Sequence, residues 1–203
     1  STSVRMVELV DAGKGVPYVE RYIIEPLPRD AVVDGNMAGL EAVSDALKRC
    51  WAKLGTSTRN VALALPTAAV ITKKITLPAN LREQEMEIQV ESEANQYLPF
   101  ALEEVNLDFQ IIGPSPNNPD DVEVLLAASR KERVEDRVAA AEMAGLKPVV
   151  VDIEAYAIQA AYELVLNQLP QNGVGQIIAL IDVGAAVMKV TVMQDKQQLY
   201  VRE

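Results

Sequence analysis

The segment Ile177-Ile178-Ala179-Leu180-Ile181-Asp182-Val183-Gly184, followed by Val187-Met188-Lys189-Val190-Thr191-Val192-Met193, constrains this chain more than any other stretch. An apolar, β-branched run that stops at Asp-x-Gly and resumes as a second β-biased run predicts an antiparallel hairpin. Amides in such a bend can face a phosphate, and the carboxylate can hold a magnesium-bound water. Asp-x-Gly also closes hairpins that bind nothing, so the motif by itself leaves both readings open.

Two neighbours narrow the fold. Ser1-Thr2-Ser3 precedes the strand-like Val4-Arg5-Met6-Val7-Glu8-Leu9-Val10, and after Asp11-Ala12-Gly13-Lys14-Gly15 a strand is predicted from Val16 to Ile24. This is a second hairpin fed by small hydroxyl residues. Between the two, Val149-Val150-Val151-Asp152 reads as a β-branched strand running into an Ala-rich helix. That helix, over Ile153 to Leu169, is apolar nearly all round, as where a helix is covered on more than one side.

The remaining elements follow from periodicity and punctuation. Pro26, Pro28, Asp34, Gly35 and Asn36 predict a loop, and Leu40, Val43, Leu47, Cys50, Trp51 and Leu54 recur at helical spacing up to Gly55. Asn60 to Leu65 and Val70 to Leu77 are predicted strands stopped by Pro66 and Pro78. Asn80-Leu81-Arg82-Glu83 has capping-box spacing, with Met86, Val90, Ala94 and Tyr97 on one helix face and the solvated Glu83, Glu87 and Glu91 on the other. Val105 to Ile112 and Val122 to Ala128 form a long hairpin, and Ser129-Arg130-Lys131-Glu132 has capping-box spacing before a helix with Val134, Val138 and Ala141 on its stripe and Gly145 at its C-cap. The stretch from Ala68 to Pro148 therefore reads β-α-β-β-α. Gly173-Val174-Gly175 is a linker that precedes a strand, which is not the arrangement of a dinucleotide fingerprint.

Composition removes several classes of chemistry. The chain has 203 residues, 49% of them hydrophobic, enough for a sizeable core in one large or two small domains. With 29 acids against 19 bases the net charge is −10, which repels nucleic acid, and no basic run offsets it. No histidine is present, so His-based triads, His general bases and most zinc sites are excluded. Cys50 is the single cysteine and, beside Trp51 on a helix, reads as a buried apolar residue. No apolar run approaches the roughly 20 residues needed to cross a bilayer, and no signal-peptide pattern is present.

Two phosphate-type hairpins joined through a strand and helix resemble the actin, Hsp70 and sugar-kinase superfamily. Within it the chain resembles the PilM family of type IV pilus assembly, relatives of the cell-division protein FtsA. The blocks that carry the resemblance are Ser1-Thr2-Ser3-Val4-Arg5-Met6-Val7-Glu8-Leu9, Asn95-Gln96-Tyr97-Leu98-Pro99-Phe100, Ala127-Ala128-Ser129-Arg130-Lys131-Glu132, Ala144-Gly145-Leu146-Lys147-Pro148 and Asp152-Ile153-Glu154-Ala155. The fold it implies is a truncated actin-like (ribonuclease H-like) α/β ATPase fold. Residues 1–67 and 148–175 would form actin-like subdomain 1A, 68–147 the inserted subdomain 1C, and 176–203 the start of the second actin-like domain.

The resemblance also implies a function. A cytoplasmic scaffold, peripheral to the inner membrane through partners, would bind the N-terminal cytoplasmic peptide of PilN and connect indirectly to PilO and the pilus motor ATPases. Apolar Leu77, Tyr97, Leu98, Pro99 and Phe100, with Lys73 and Lys74 as polar guides, are the candidate peptide contacts, in a groove between the large subdomain and the insert. The same apolar residues could instead fill the insert's own core. For ATP and Mg2+ the resemblance implies Ser1, Thr2, Ser3, Asp182 and Gly184 at the phosphates, Asp182 on the metal through water, and Glu154 orienting the attacking water. Relatives have a strand ending in Gly-x-Asp before the Ser-Thr-Ser turn and adenosine-binding glycines further on, neither of which is found here. This chain departs again where Ala185-Ala186-Val187-Met188 replaces the usual Gly, Thr or Ser, so ATP binding is expected of a longer protein and not of this stretch. The alternatives are a nucleotide-dependent switch or a GspL-like cytoplasmic domain of type II secretion.

Overall fold

The computed structural model describes residues 2–11, 13, 17–185 and 187–202. Ser1 and the Lys14-Gly15-Val16 part of the first hairpin loop lie outside the described residues, as does Ala186. The chain divides into two compact units, Ser1–Pro66 with Asp136–Glu203, and Thr67–Glu135.

In the first unit, β1 (Ser3–Asp11) and β2 (Pro17–Pro26) pair antiparallel, with Ser3 opposite Pro26 and a bulge at Glu8/Leu9. Alternation turns Val4 and Met6 towards the interior and leaves Val7 and Leu9 exposed. Two short strands, β3 (Val32–Val33) and β4 (Asn36–Met37), close a miniature hairpin where the prolines and polar residues predict a loop. Its bend is Asp34-Gly35, both with positive φ (48° and 76°), the primed turn that Asp-Gly favours.

Helix α1 (Leu40–Leu54) buries Val43, Ala46, Cys50 and Leu54. It ends as predicted, at Gly55 in the left-handed region (φ 70°), whose N–H donates to Trp51 O at 3.3 Å. Strand β5 (Asn60–Leu65) pairs parallel with β9 (Lys147–Ile153), which is the pairing that needs a long crossover between them. Ala141, Ala144 and Leu146 form a core with Met6, Trp51, Val61 and Leu63 packed on it.

Helix α4 (Glu154–Glu163) is shorter than the predicted Ile153 to Leu169. After Glu163 the backbone tightens into turns, Val165 N–H donating to Tyr162 O, and Leu164 and Val165 stay exposed rather than covered. The three-stranded sheet that follows runs β10 (Ile177–Val183), β11 (Met188–Gln194) and β12 (Gln197–Arg202), all antiparallel.

The second unit carries the predicted hairpin and helix. Strands β6 (Val70–Pro78), β7 (Val105–Pro114) and β8 (Asp121–Arg130) pair antiparallel in the order β6-β8-β7. Ile75, Leu77, Val124 and Leu126 lie on one sheet face and pack with Met86 and Val90 of α2 (Glu83–Tyr97). A second cluster joins Ala94, Leu98, Val105 and Ala128. Fully burying one Leu or Val stabilises by about 1.5–3 kcal/mol, so this compact set supplies most of the unit's driving force.

Both predicted capping boxes shift. Helix α2 begins at Glu83 and Arg82 N–H donates to Glu85 Oε2 at 2.9 Å, two residues later than the Asn80–Glu83 spacing indicates. Ser129 is still a strand residue, opposite Val70 and Asn106, and its hydroxyl donates to Ala69 O at 2.9 Å instead of capping α3 (Lys131–Met143). Sheet pairing claims the residue before the helix can. Helix α3 begins in the second unit and ends in the first, and Gly145 beyond it has φ 78° with its N–H donating to Glu142 O at 2.8 Å.

Candidate functional site

The β10–β11 hairpin sets Asp182 directly opposite Lys189. Opposed residues on one sheet face are close neighbours, and from there Lys189 Nζ reaches Glu154 Oε2 on the first turn of α4. An acid at that position also faces the positive end of the helix dipole. The Lys189 side chain is 15% exposed and that of Glu154 41%. Asp182 is exposed and makes no side-chain hydrogen bond or ion pair among the described residues.

The bend itself is closed on its own backbone. Gly184 N–H donates to Val187 O at 3.0 Å, and a Cβ on Gly184 would stand 2.7 Å from that oxygen, which explains the glycine without a ligand. Thr2 is exposed and its carbonyl accepts from Leu27 N–H at 2.9 Å, while Ser3 opens β1 opposite Pro26. Among the described residues the two hairpins belong to separate sheets, and no hydrogen bond or ion pair joins Thr2 or Ser3 to Asp182. No group of three or more Asp, Glu or Cys side chains placed for a metal ion occurs among them. A lone exposed carboxylate, an amide already bonded and a glutamate already paired do not fit a magnesium-nucleotide site.

One buried and one partly buried acid elsewhere in the unit have structural explanations. Glu25 accepts from Lys53 Nζ and Arg49 Nε, both at 2.7 Å, and these bonds hold its carboxyl below the ordinary range. Glu8 is likewise lowered, first by the Thr56 hydroxyl and then by Arg21. Burial pushes the Cys50 thiol up, which suits an inert packed residue, as its sequence context predicts.

The predicted peptide contacts all fall in the second unit, and burial sorts them. Leu77 and Leu98 are 4% and 9% exposed and belong to the core, so of the two readings open in the sequence the packing one holds for them. Tyr97 is 46% exposed rather than part of the α2 core face, and Phe100 is 37% exposed. Lys73 shares its sheet face with Ile75 and Leu77, and its Nζ lies 4.6 Å from the Tyr97 ring centroid. Lys74 points to the opposite face of β6 and is exposed, as is Pro99.

Arg130, which sequence reasoning missed, places its guanidinium 5.5 Å from the Phe100 ring centroid. Only the β7–β8 register, which sets Arg130 opposite Val105, brings it to the chain that leaves α2. Ile88, 64% exposed on α2, was also not predicted, because a single apolar residue among glutamates carries no period. The outcome is two exposed rings, three residues apart in the chain, each with a cation beside it.

The β1–β2 and β10–β12 sheets, the β5–β9 pair running into α4, and the β-α-β-β unit set between them in sequence are the mixed α/β arrangement of an actin-like fold with an inserted subdomain. A solved structure described as a PilM-PilN type IV pilus biogenesis complex superposes with a TM-score of 0.81 at 28% identity, over 99% of this chain and 58% of that one. This chain therefore spans little more than half the length of that relative. The cytoplasmic domain of EpsL, an inner membrane component of the type II secretion system of Vibrio cholerae, matches with a TM-score of 0.54 at 11% identity, over 100% of this chain and 67% of that one, which shows the fold alone. The family model described as Type IV pilus assembly protein PilM matches residues 1–203, and the chain belongs to that family.

Proposed function

We propose that this chain serves as an adaptor in type IV pilus assembly by holding the N-terminal segment of a PilN-type partner. The observation that carries this reading is the match over 99% of the chain to a protein solved in complex with PilN. Exposed Tyr97 and Phe100, backed by Lys73 and Arg130, supply the surface in the second unit. The rings offer apolar area, and the neighbouring cations fix polarity by meeting peptide carbonyls or acids. Such an adaptor works in the cytoplasm at the inner membrane through its partners, with PilO and the pilus motors reached indirectly. No helix among the described residues is long and apolar enough to cross a membrane.

A fluorescent PilN-type N-terminal peptide titrated into the chain, with a scrambled peptide as control, tests this by anisotropy. Saturable binding that weakens about tenfold in a Tyr97→Ala/Phe100→Ala variant is expected, the loss typical of truncating an interface aromatic. Binding unchanged by that variant, or equal for the scrambled peptide, overturns the assignment. The geometry of the Asp182 bend lends no support to ATP binding, since the Gly184 amide is already bonded to Val187 O.

A further inference from the structure

Helix α4 is stitched along the β10–β12 sheet at three polar points. Lys189 Nζ meets Glu154 at its start, Gln159 Nε2 donates to Lys196 O at 2.9 Å in its middle, and Lys196 Nζ lies 3.6 Å from Glu163 Oε2 at its end. Tyr162, Leu166 and Met193 are buried beneath, with Leu169, Ile178 and Leu180 packed against them. Glu154 meets Lys189 near the start of β11, and Gln159 and Glu163 both meet Lys196 in the turn that follows it, so α4 runs alongside β11 in the same direction.

The Glu154–Lys189 contact differs in character from the other two. The Lys189 ammonium sits where 85% of its side chain is covered, and it reaches Glu154 from the ladder position opposite Asp182. A carboxylate that orients an attacking water must keep its oxygens free to accept from it. In this chain Glu154 Oε2 is taken up by the Lys189 ammonium. The hairpin beyond supplies neither a free Gly184 amide nor a cluster of metal ligands among the described residues. Of the residues that would serve hydrolysis in an actin-like site, Glu154 is bonded to Lys189 and the Gly184 amide to Val187 O, while Asp182 stands exposed among the described residues.

We infer that Glu154 and Lys189 form a latch fixing α4 to the β10–β11 hairpin, so that Glu154 is in this chain a structural anchor and not a water-positioning residue. The latch joins the connecting helix to the second sheet without nucleotide. It goes beyond the adaptor reading and does not depend on it, since it involves none of the residues around Tyr97.

Hydrogen exchange by mass spectrometry on the full chain tests the latch, using Glu154→Gln, Lys189→Met, both together, and the charge-swapped Glu154→Lys/Lys189→Glu. Each single substitution is expected to speed exchange across 154–163 and 188–194 by about three- to tenfold, and the double to add little, as for partners in one contact. The swapped pair is expected to recover slow exchange, which a catalytic carboxylate has no reason to do; it also keeps the test open should a single variant fold poorly. Unchanged exchange in the singles, or additive losses without recovery on swapping, overturns the latch. So does turnover of MgATP by the wild-type chain that Glu154→Gln abolishes while exchange stays the same. Failure of the peptide titration leaves this result untouched, so the two readings fail separately.

Discussion

The two units solve the problem of covering a sheet differently. In the second, β6, β8 and β7 form one continuous ladder, and consecutive α2 lies over the face that carries Ile75, Leu77, Val124 and Leu126. In the first, the described strands form four separate sheets, and the outward face of β1–β2 leaves Val7, Leu9, Val19, Tyr22 and Ile24 all more than half exposed. A short-range β-α-β-β unit closes its core from neighbours in sequence, so its burial is complete within about 70 residues. The first unit gathers elements from both ends of the chain, and the described residues cover one face of its β1–β2 hairpin and leave the other bare.

The largest test of that contrast is Leu126→Ala, at the centre of the second unit's core. It removes a fully buried side chain from the middle strand, and a loss of about 2–5 kcal/mol in urea unfolding is expected. A loss below about 1 kcal/mol would mean the core is looser than its burial indicates.

Within the first unit, Glu25 should matter through pH. Its two cationic partners depress the folded-state carboxyl below the ordinary value of 4.5, so the stability it adds is present above that value and lost as pH falls through the folded pKa. Thermal melts taken stepwise below pH 5 are expected to show a shallower acid decline for Glu25→Gln than for wild type, from a lower starting stability at neutral pH. Parallel declines would show that Glu25 is not the responsible group.

A smaller effect is expected at Gly55. Its left-handed φ of 70° has open space around it, so Gly55→Ala meets strain without a clash and should cost about 1 kcal/mol in a thermal melt. The smallest is Tyr22→Ser on the bare β1–β2 face, expected within about 0.5 kcal/mol of wild type in the same urea assay. If Tyr22→Ser instead destabilises as much as Leu126→Ala, that face is covered in solution and the contrast between the units breaks.

Legibility in the sequence followed the range of the interactions. The 40–54 helix was readable because Val43, Cys50 and Leu54 repeat at its period and Gly55 marks its end. The Asp182 hairpin was readable because two apolar runs flank one turn. Ser129 misled because a residue that could cap α3 is held first by its ladder partners Val70 and Asn106, far away in sequence. Tyr97 misled because it keeps the helical period of Met86, Val90 and Ala94 yet lies past the edge of the core, under Lys73.

The candidate site was legible in parts and not in arrangement. Tyr97 and Phe100 could be singled out as apolar residues beside a proline, but Arg130 reaches Phe100 only through the β7–β8 register. Asp182 and Glu154 were correctly placed at a bend and at a helix start, and nothing local announced that Lys189 would pair with Glu154.

By itself the sequence determined an α/β chain without histidine chemistry, the positions of its main hairpins and helices, and a family resemblance spread over all its blocks. These depend on side-chain type and spacing within a few residues, which turn chemistry and periodicity express directly. Tertiary structure alone decided which apolar residues are core and which are surface, and which of the polar groups are already paired. Those outcomes depend on ladder register and on contacts between segments 30 to 100 residues apart, such as Lys189 with Glu154 and Arg137 with Gly35, and no local pattern encodes a distance of that kind.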